Sequence, residues 1–107
     1  MKQELTAIIL GLTLSTASYA GDWKQDHPRR AQVNARLNNQ NRRIRDGVED
    51  GKLTPGQAQQ LHAEDHAIRQ QERAMAAQNG GHITKGEQRQ LNQEENQVSK
   101  QIYEEKH

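Results

Sequence analysis

Apolar residues recur along the chain at intervals of seven, separated by mostly polar positions. The paired members of three such groups are Leu37 with Ile44, Leu61 with Ile68, and Leu91 with Val98. This spacing places the apolar residues on one narrow stripe of a helix, as in helices that pack along a heptad seam. The pattern predicts an all-α fold with three helices, over about 28–46, 54–78 and 84–104.

The last two predicted helices begin with the same short pattern. Thr54 is followed three residues later by Gln57, and Thr84 is followed three residues later by Glu87. In a capping box the threonine hydroxyl accepts a hydrogen bond from the later backbone amide, and the later side chain accepts one from the threonine amide. We therefore expect these four residues to be structural helix caps.

The caps belong to an internal repeat in which residues 51–71 reappear as 81–101. Seven identical residues recur thirty positions later: Gly51, Thr54, Gly56, Gln60, Leu61, Glu64 and Gln71. Self-similarity of this kind indicates a repeated supersecondary unit, here a glycine turn followed by a capped helix. Both copies lie in the single helical domain predicted for residues 28–107.

Large apolar residues are sparse after position 20, and the chain contains neither cysteine nor phenylalanine. Polar residues also flank the predicted seams, at Gln40, Asp65, Glu72 and Glu95. Burial of so few apolar side chains offsets only a small part of the conformational entropy that the chain loses on folding. The composition therefore predicts an elongated, hairpin-like arrangement with a thin core. A homodimer, a complex with another protein, and an open and easily deformed structure are the three alternatives.

The first twenty residues have the pattern of an export signal. Lys2 precedes an apolar run over residues 5–14, and the small residues Ser18 and Ala20 stand before a potential cleavage point. The run is too short for a stable membrane anchor, although an uncleaved anchor is the alternative. We expect a signal peptide over 1–20, a flexible N-terminus over 21–27, and a periplasmic or secreted protein.

Opposite charges are unevenly distributed, although the chain carries 15 basic and 14 acidic residues. The first predicted helix is basic and the last is rich in glutamate, which predicts that these two pack against each other in one subunit or between subunits. An anion-binding helix is the alternative. The aromatic residues that usually stack on single-stranded nucleic acid are scarce, so no nucleic-acid partner is expected. The arginines of the first helix are Arg29, Arg30, Arg36, Arg42, Arg43 and Arg45.

Chemistry-bearing residues are few. His62 and His66 are four positions apart and share a helix face, and Asp65 lies within one turn of His62. The three could hold zinc or copper, although a tetrahedral site needs a further ligand from a second subunit. The alternative is a pair of exposed polar residues with no metal cofactor. Because Ser99 is the single serine after position 20 and cysteine is absent, we predict no catalytic residues and no enzyme.

Two resemblances bear on function. The segment from Leu53 to Gln57 is similar to the Leu-Thr-x-x-Gln signature of the periplasmic chaperones Spy and CpxP. That resemblance implies an exported, all-helical protein whose thin hairpins form cradle-like dimers and hold unfolded protein clients without ATP. A longer pattern, over 43–48, 51–54, 79–84 and 102–107, resembles a group of small exported bacterial proteins of unassigned activity.

These observations predict a non-enzymatic envelope protein that acts as an ATP-independent chaperone or stress-binding factor. The first alternative is a periplasmic protein that binds or responds to a transition metal. The second alternative is a structural helical module that binds a protein partner.

Overall fold

The structure is a computed structural model that describes residues 22–107. Helix α1 spans Pro28–Glu49, α2 spans Pro55–Gln78 and α3 spans Lys85–Lys106. No strand occurs within residues 22–107, and the fold of this part of the chain is all-α. The predicted signal peptide over 1–20 lies outside the described residues.

A further helical segment precedes α1. Residues 22–26 are helical and His27 separates them from α1, whereas the sequence predicted a flexible N-terminus over 21–27. Within residues 22–107 the number of helical segments is therefore four, one more than the predicted three. Trp23 stacks on His27, and His27 stacks in turn on His82, a contact distant in sequence that no local pattern reveals.

Helix α1 continues beyond its predicted end near residue 46, because Gly47 is a point of close packing and does not stop the helix. A Cβ atom at Gly47 would lie 2.7 Å from Cδ1 of Leu53. The chain reverses four residues later at Gly51, whose φ of 74° favours glycine. The backbone amides of Lys52 and Leu53 then donate to the carbonyl oxygen of Gly47, at 2.8 and 3.0 Å.

Both capping boxes are present. The hydroxyl oxygen of Thr54 accepts from the Gln57 amide at 3.1 Å, and the Thr54 amide donates to Gln57 Oε1 at 2.9 Å. The corresponding distances between Thr84 and Glu87 are 3.1 and 2.8 Å. Each box pairs two backbone amides at a helix start with side-chain oxygens, and so fixes where α2 and α3 begin.

Removing either cap is expected to destabilise the fold. Thr54→Ala and Thr84→Ala should each lower the free energy of unfolding by about 1 kcal/mol, because each deletes the oxygen that accepts from an unpaired helix amide. Urea denaturation followed by circular dichroism measures the change. Thr54→Ser is the matched control, since serine retains the hydroxyl and should preserve most of the stability. Melting curves identical to the parent's for both alanine variants would contradict a stabilising role for the caps.

The three helices form a compact, closed bundle, whereas the sequence predicts an elongated, hairpin-like arrangement with a thin core. Helix α2 runs antiparallel to α1 and α3, and each helix packs against the other two to a similar extent. Closure is possible despite the sparse apolar residues because long polar side chains from the seam positions fill part of the interior. The buried apolar residues form one cluster: Val33, Leu37, Ile44, Leu53, Ala58, Leu61, Ile68, Ala76, Ile83, Leu91, Val98 and Ile102.

The internal repeat gives α2 and α3 a local two-fold relationship. Gln71 Nε2 donates to Glu94 Oε1 at 2.7 Å. With the Gln101 amide nitrogen facing Glu64, the reciprocal pair forms at 2.6 Å. Since Glu94 and Gln101 are the thirty-residue counterparts of Glu64 and Gln71, the antiparallel helices exchange equivalent contacts. The repeat therefore encodes a symmetric helical hairpin, and α1 is the element that packs across it.

Candidate functional site

The polar contacts between α1 and α3 are made chiefly by arginines that donate to neutral acceptors. Arg36 Nη1 donates to Oδ1 of Asn92 at 3.3 Å, and Nη2 donates to Oδ1 of Asn96 at 2.6 Å. Arg43 Nη1 donates to the hydroxyl of Ser99 at 2.8 Å. The predicted packing of the first helix against the last is therefore present within one chain, where the arginines bind amides and a hydroxyl and Arg36 also forms an ion pair with Glu95.

Polar contacts also join α1 to α2. Arg69 Nη1 donates to Oδ1 of Asn34 at 3.3 Å, and its Nη2 donates to Oδ1 of Asn38 at 2.9 Å. His62 Nδ1 lies 2.8 Å from Oδ1 of Asn41, which can only accept, so Nδ1 carries the proton. Both flanks of α1 are thus lined with hydrogen bonds that water can replace.

Ion pairs are few: within residues 22–107 they are Arg30 with Glu72 and Arg36 with Glu95. Arg30 Nε donates to Oε2 of the fully buried Glu72, and its Nη1 donates to the carbonyl oxygen of Gly81 at 3.1 Å. Arg30 thereby joins the start of α1 to α2 and to the connection before α3.

Four polar side chains lie inside the bundle, at Gln40, Asp65, Glu72 and Glu95. Gln40 Nε2 donates to the backbone oxygen of Glu95 at 2.7 Å, which links α1 to α3. Neither carboxyl oxygen of Asp65 or Glu95 has a hydrogen-bond partner, and Gln40 Oε1 and Glu72 Oε1 also lack one. Burying polar atoms without hydrogen-bond partners costs free energy, so these unpaired oxygens destabilise the middle of the closed bundle.

Burial also changes the acidity of the two carboxyl groups beneath α1. Desolvation raises the pKa of Asp65 from 3.8 to about 7, although Arg69 partly opposes the change. Desolvation raises the pKa of Glu95 from 4.5 to about 8, with Arg36 acting in the opposite direction. Both groups are therefore mainly protonated in mildly acidic solution, and charging them in the closed bundle is unfavourable.

The three predicted metal ligands are not brought together. His62 is partly buried and His66 is exposed, whereas Asp65 is turned into the core and is 1% exposed. The heptad position of Asp65 explains this outcome, because it continues the buried stripe of α2. No cluster of three or more His, Cys, Asp or Glu side chains with metal-binding geometry occurs within residues 22–107.

An aromatic stack at the other end of α1 was not foreseen. The ring of His27 lies 4.8 Å from that of Trp23 and 4.6 Å from that of His82, with both pairs nearly parallel. The guanidinium of Arg30 lies 5.2 Å from the Trp23 ring centre. The stack holds residues 22–27 against the α2–α3 connection. The local sequence carries no signal for the contact of His27 with His82, because these two residues are more than fifty positions apart.

Little apolar surface is exposed. Val48 and Tyr103 are the large hydrophobic residues of the described chain that are exposed, at 37% and 61%. In the closed bundle a client protein would therefore meet a polar surface. None of the helices within residues 22–107 combines the length and apolar character needed to cross a membrane.

Comparisons of the chain with protein-family models, with curated proteins and with solved structures gave no match.

Proposed function

We propose that this chain is a non-enzymatic envelope protein that acts as an ATP-independent chaperone, with α1 covering the client-binding surface. The surface is the α2–α3 seam, made of Leu61, Ile68, Leu91, Val98 and Ile102, which are all buried in the closed bundle. The observation that supports the proposal is that an apolar seam lies under a helix that has three fully buried aliphatic side chains and polar contacts along both flanks.

Helix α1 supplies few apolar contacts. Val33, Leu37 and Ile44 are its fully buried aliphatic side chains, and Gln40 interrupts them. Each such side chain contributes about 2 kcal/mol on burial, whereas a hydrogen bond that water can replace contributes about 1 kcal/mol or less. Displacing α1 exposes these three side chains together with the part of the seam that they cover, which is less apolar surface than unfolding the whole chain exposes.

The remaining hairpin retains contacts of its own when α1 moves away. The reciprocal pairs Gln71 with Glu94 and Gln101 with Glu64 join α2 directly to α3. Displacement of α1 also returns Asp65 and Glu95 to water, which relieves the cost of burying them. The exposed seam would then be a thin, two-helix apolar surface like the one implied by the Leu-Thr-x-x-Gln resemblance.

The proposed site of action is the cell envelope, because residues 1–20 have the pattern of an export signal. In the envelope, ATP is not available to drive cycles of binding and release. A surface that is covered by the protein's own helix and uncovered by thermal opening provides binding without an energy source. Competition between α1 and the client for the same seam provides release.

A client-aggregation assay with stabilised and matched variants tests this function. Replacing Asp65 and Glu95 together with leucine should stabilise the closed bundle, because it removes two buried carboxyl groups whose oxygens have no hydrogen-bond partner. At pH 8 the parent should suppress aggregation of an unrelated, thermally unfolding enzyme, and the stabilised variant should suppress it less. The control, Glu49→Gln with Glu104→Gln, removes two exposed carboxylates and should behave like the parent.

Two results would contradict the proposal. Absence of suppression by the parent at several-fold molar excess would exclude a chaperone of this kind. Equal suppression by the parent and by a demonstrably more stable Asp65→Leu, Glu95→Leu variant would show that clients bind elsewhere than the α2–α3 seam.

A further inference from the structure

A groove between α1 and α2, on the outer side of the bundle, has a composition that points to a ligand. It is open to solvent, has a volume of about 530 Å³ and is lined by Asn41, Arg45, Gln59, His62, His66 and Arg69. A volume of this size accommodates a small organic molecule and exceeds what a single inorganic anion fills. We refer to it below as the basic groove.

The charge of the basic groove is positive. Arg45 and Arg69 both line it, and no acidic residue contributes to its lining. Neither arginine is in an ion pair within residues 22–107. Two guanidinium groups at one groove attract an anion and disfavour a metal cation beside His62 and His66.

Two polar side chains of the groove, those of Arg69 and His62, are held in place before any ligand binds. Asn34 and Asn38 accept from the two Nη atoms of Arg69, so its guanidinium plane is fixed. Asn41 accepts from Nδ1 of His62, which leaves Nε2 as the remaining hydrogen-bonding atom of that imidazole. Side chains positioned in this way lose less conformational entropy when they bind a ligand.

We propose that the basic groove binds the phosphate group of a hydroxyl-rich compound such as a glycerophosphate. Arg45 pairs with the phosphate oxygens, since guanidinium and phosphate match in charge and in bidentate geometry. Arg69 adds a second positive charge. Asn41 and Gln59 supply amides that suit the hydroxyl groups of the remainder of the ligand, and Nε2 of His62 accepts from a hydroxyl. This binding uses the closed bundle and does not depend on the chaperone proposal.

Calorimetric titration with glycerol 3-phosphate, inorganic phosphate and glycerol tests the proposal on the chain from Gly21 to His107. Glycerol 3-phosphate should bind saturably, and glycerol should not. Arg45→Gln should weaken that binding by about tenfold or more, the loss typical of one charge-assisted phosphate contact. Arg42→Gln is the matched control, because Arg42 is exposed on the same helix, carries the same charge and does not line the groove. It should leave the affinity unchanged, and circular dichroism verifies that both variants remain helical.

Vesicle sedimentation distinguishes a soluble ligand from a lipid headgroup. If the phosphate site recognises a lipid, vesicles containing phosphatidylglycerol should sediment the parent and Arg42→Gln but not Arg45→Gln. Phosphatidylcholine vesicles should sediment none of the three proteins. Binding of glycerol 3-phosphate without vesicle binding supports a soluble ligand. The proposal is overturned if no phosphate probe binds, or if Arg42→Gln and Arg45→Gln weaken binding equally, since equal loss reflects general charge attraction.

Discussion

Raising the pH from about 4 to about 9 is expected to lower the free energy of unfolding by several kcal/mol. The cause is the pair of carboxyl groups beneath α1. Burial raises the pKa of Asp65 to about 7 and that of Glu95 to about 8. In the unfolded chain both groups ionise near their ordinary values, so between about pH 4 and pH 8 the folded protein holds more protons than the unfolded chain.

The sign of the effect follows from this difference in bound protons. The stabilising contribution is fully present below the unfolded pKa values of 3.8 and 4.5. It declines as the pH rises and is lost once the folded pKa values, about 7 and about 8, are exceeded. This difference between the folded and unfolded pKa values corresponds to at most roughly 5 kcal/mol for each group.

Urea denaturation at intervals across this pH range measures the effect. Asp65→Asn with Glu95→Gln is the appropriate control, because it retains the shape and polarity of both side chains and removes their titration. The slope of stability against pH should be much shallower in this variant. A parent protein whose stability is constant, or rises, between pH 5 and pH 8 would show that these carboxyl groups are not buried as described.

Arg30→Ala is expected to cause the largest loss of stability of any single charged-to-alanine change, about 3–5 kcal/mol. Glu72 is fully buried, and Arg30 is its ion-pair partner. Removing Arg30 leaves an uncompensated carboxylate in the core. It also removes the contact of Arg30 with the Gly81 carbonyl and with the Trp23 ring.

Two further variants isolate the buried charge as the cause. Arg29→Ala is the matched control: Arg29 is exposed and makes a 3.3 Å contact with the Ile83 carbonyl, so its loss should cost about 0.5 kcal/mol or less. Adding Glu72→Met to Arg30→Ala should restore part of the stability, because it removes the orphaned charge. An Arg30→Ala protein as stable as Arg29→Ala in thermal melts would argue against the buried ion pair.

The sequence predicted those features that local chemistry determines. The helices and their starting caps follow from heptad spacing and from the Thr54 and Thr84 patterns, which act within a few residues. The all-α class follows from the same signals. The repeat was read as two similar units, and the structure adds that Glu64 and Gln71 meet their own counterparts across a local two-fold relationship.

The closed bundle was not predictable from apolar content alone. A count of apolar residues assumes that Gln40, Asp65 and Glu95 are solvated. Their heptad positions instead place these side chains in the interior. The same positional effect turns Asp65 into the core, away from the face of α2 that carries both His62 and His66. Contacts such as His27 with His82 depend on the chain reversal at Gly80 and Gly81 and have no local signature.

Hydrogen–deuterium exchange in the presence and absence of an unfolded client tests the central claim most directly, namely that α1 leaves the α2–α3 seam to expose it. Client binding should accelerate amide exchange throughout α1, including residues around Leu37, while amides of α2 and α3 near Ile68 and Val98 stay protected. The fluorescence of Trp23, the one tryptophan of the chain, should shift in parallel as its stack opens. Bound client with unchanged protection of α1 would contradict the account.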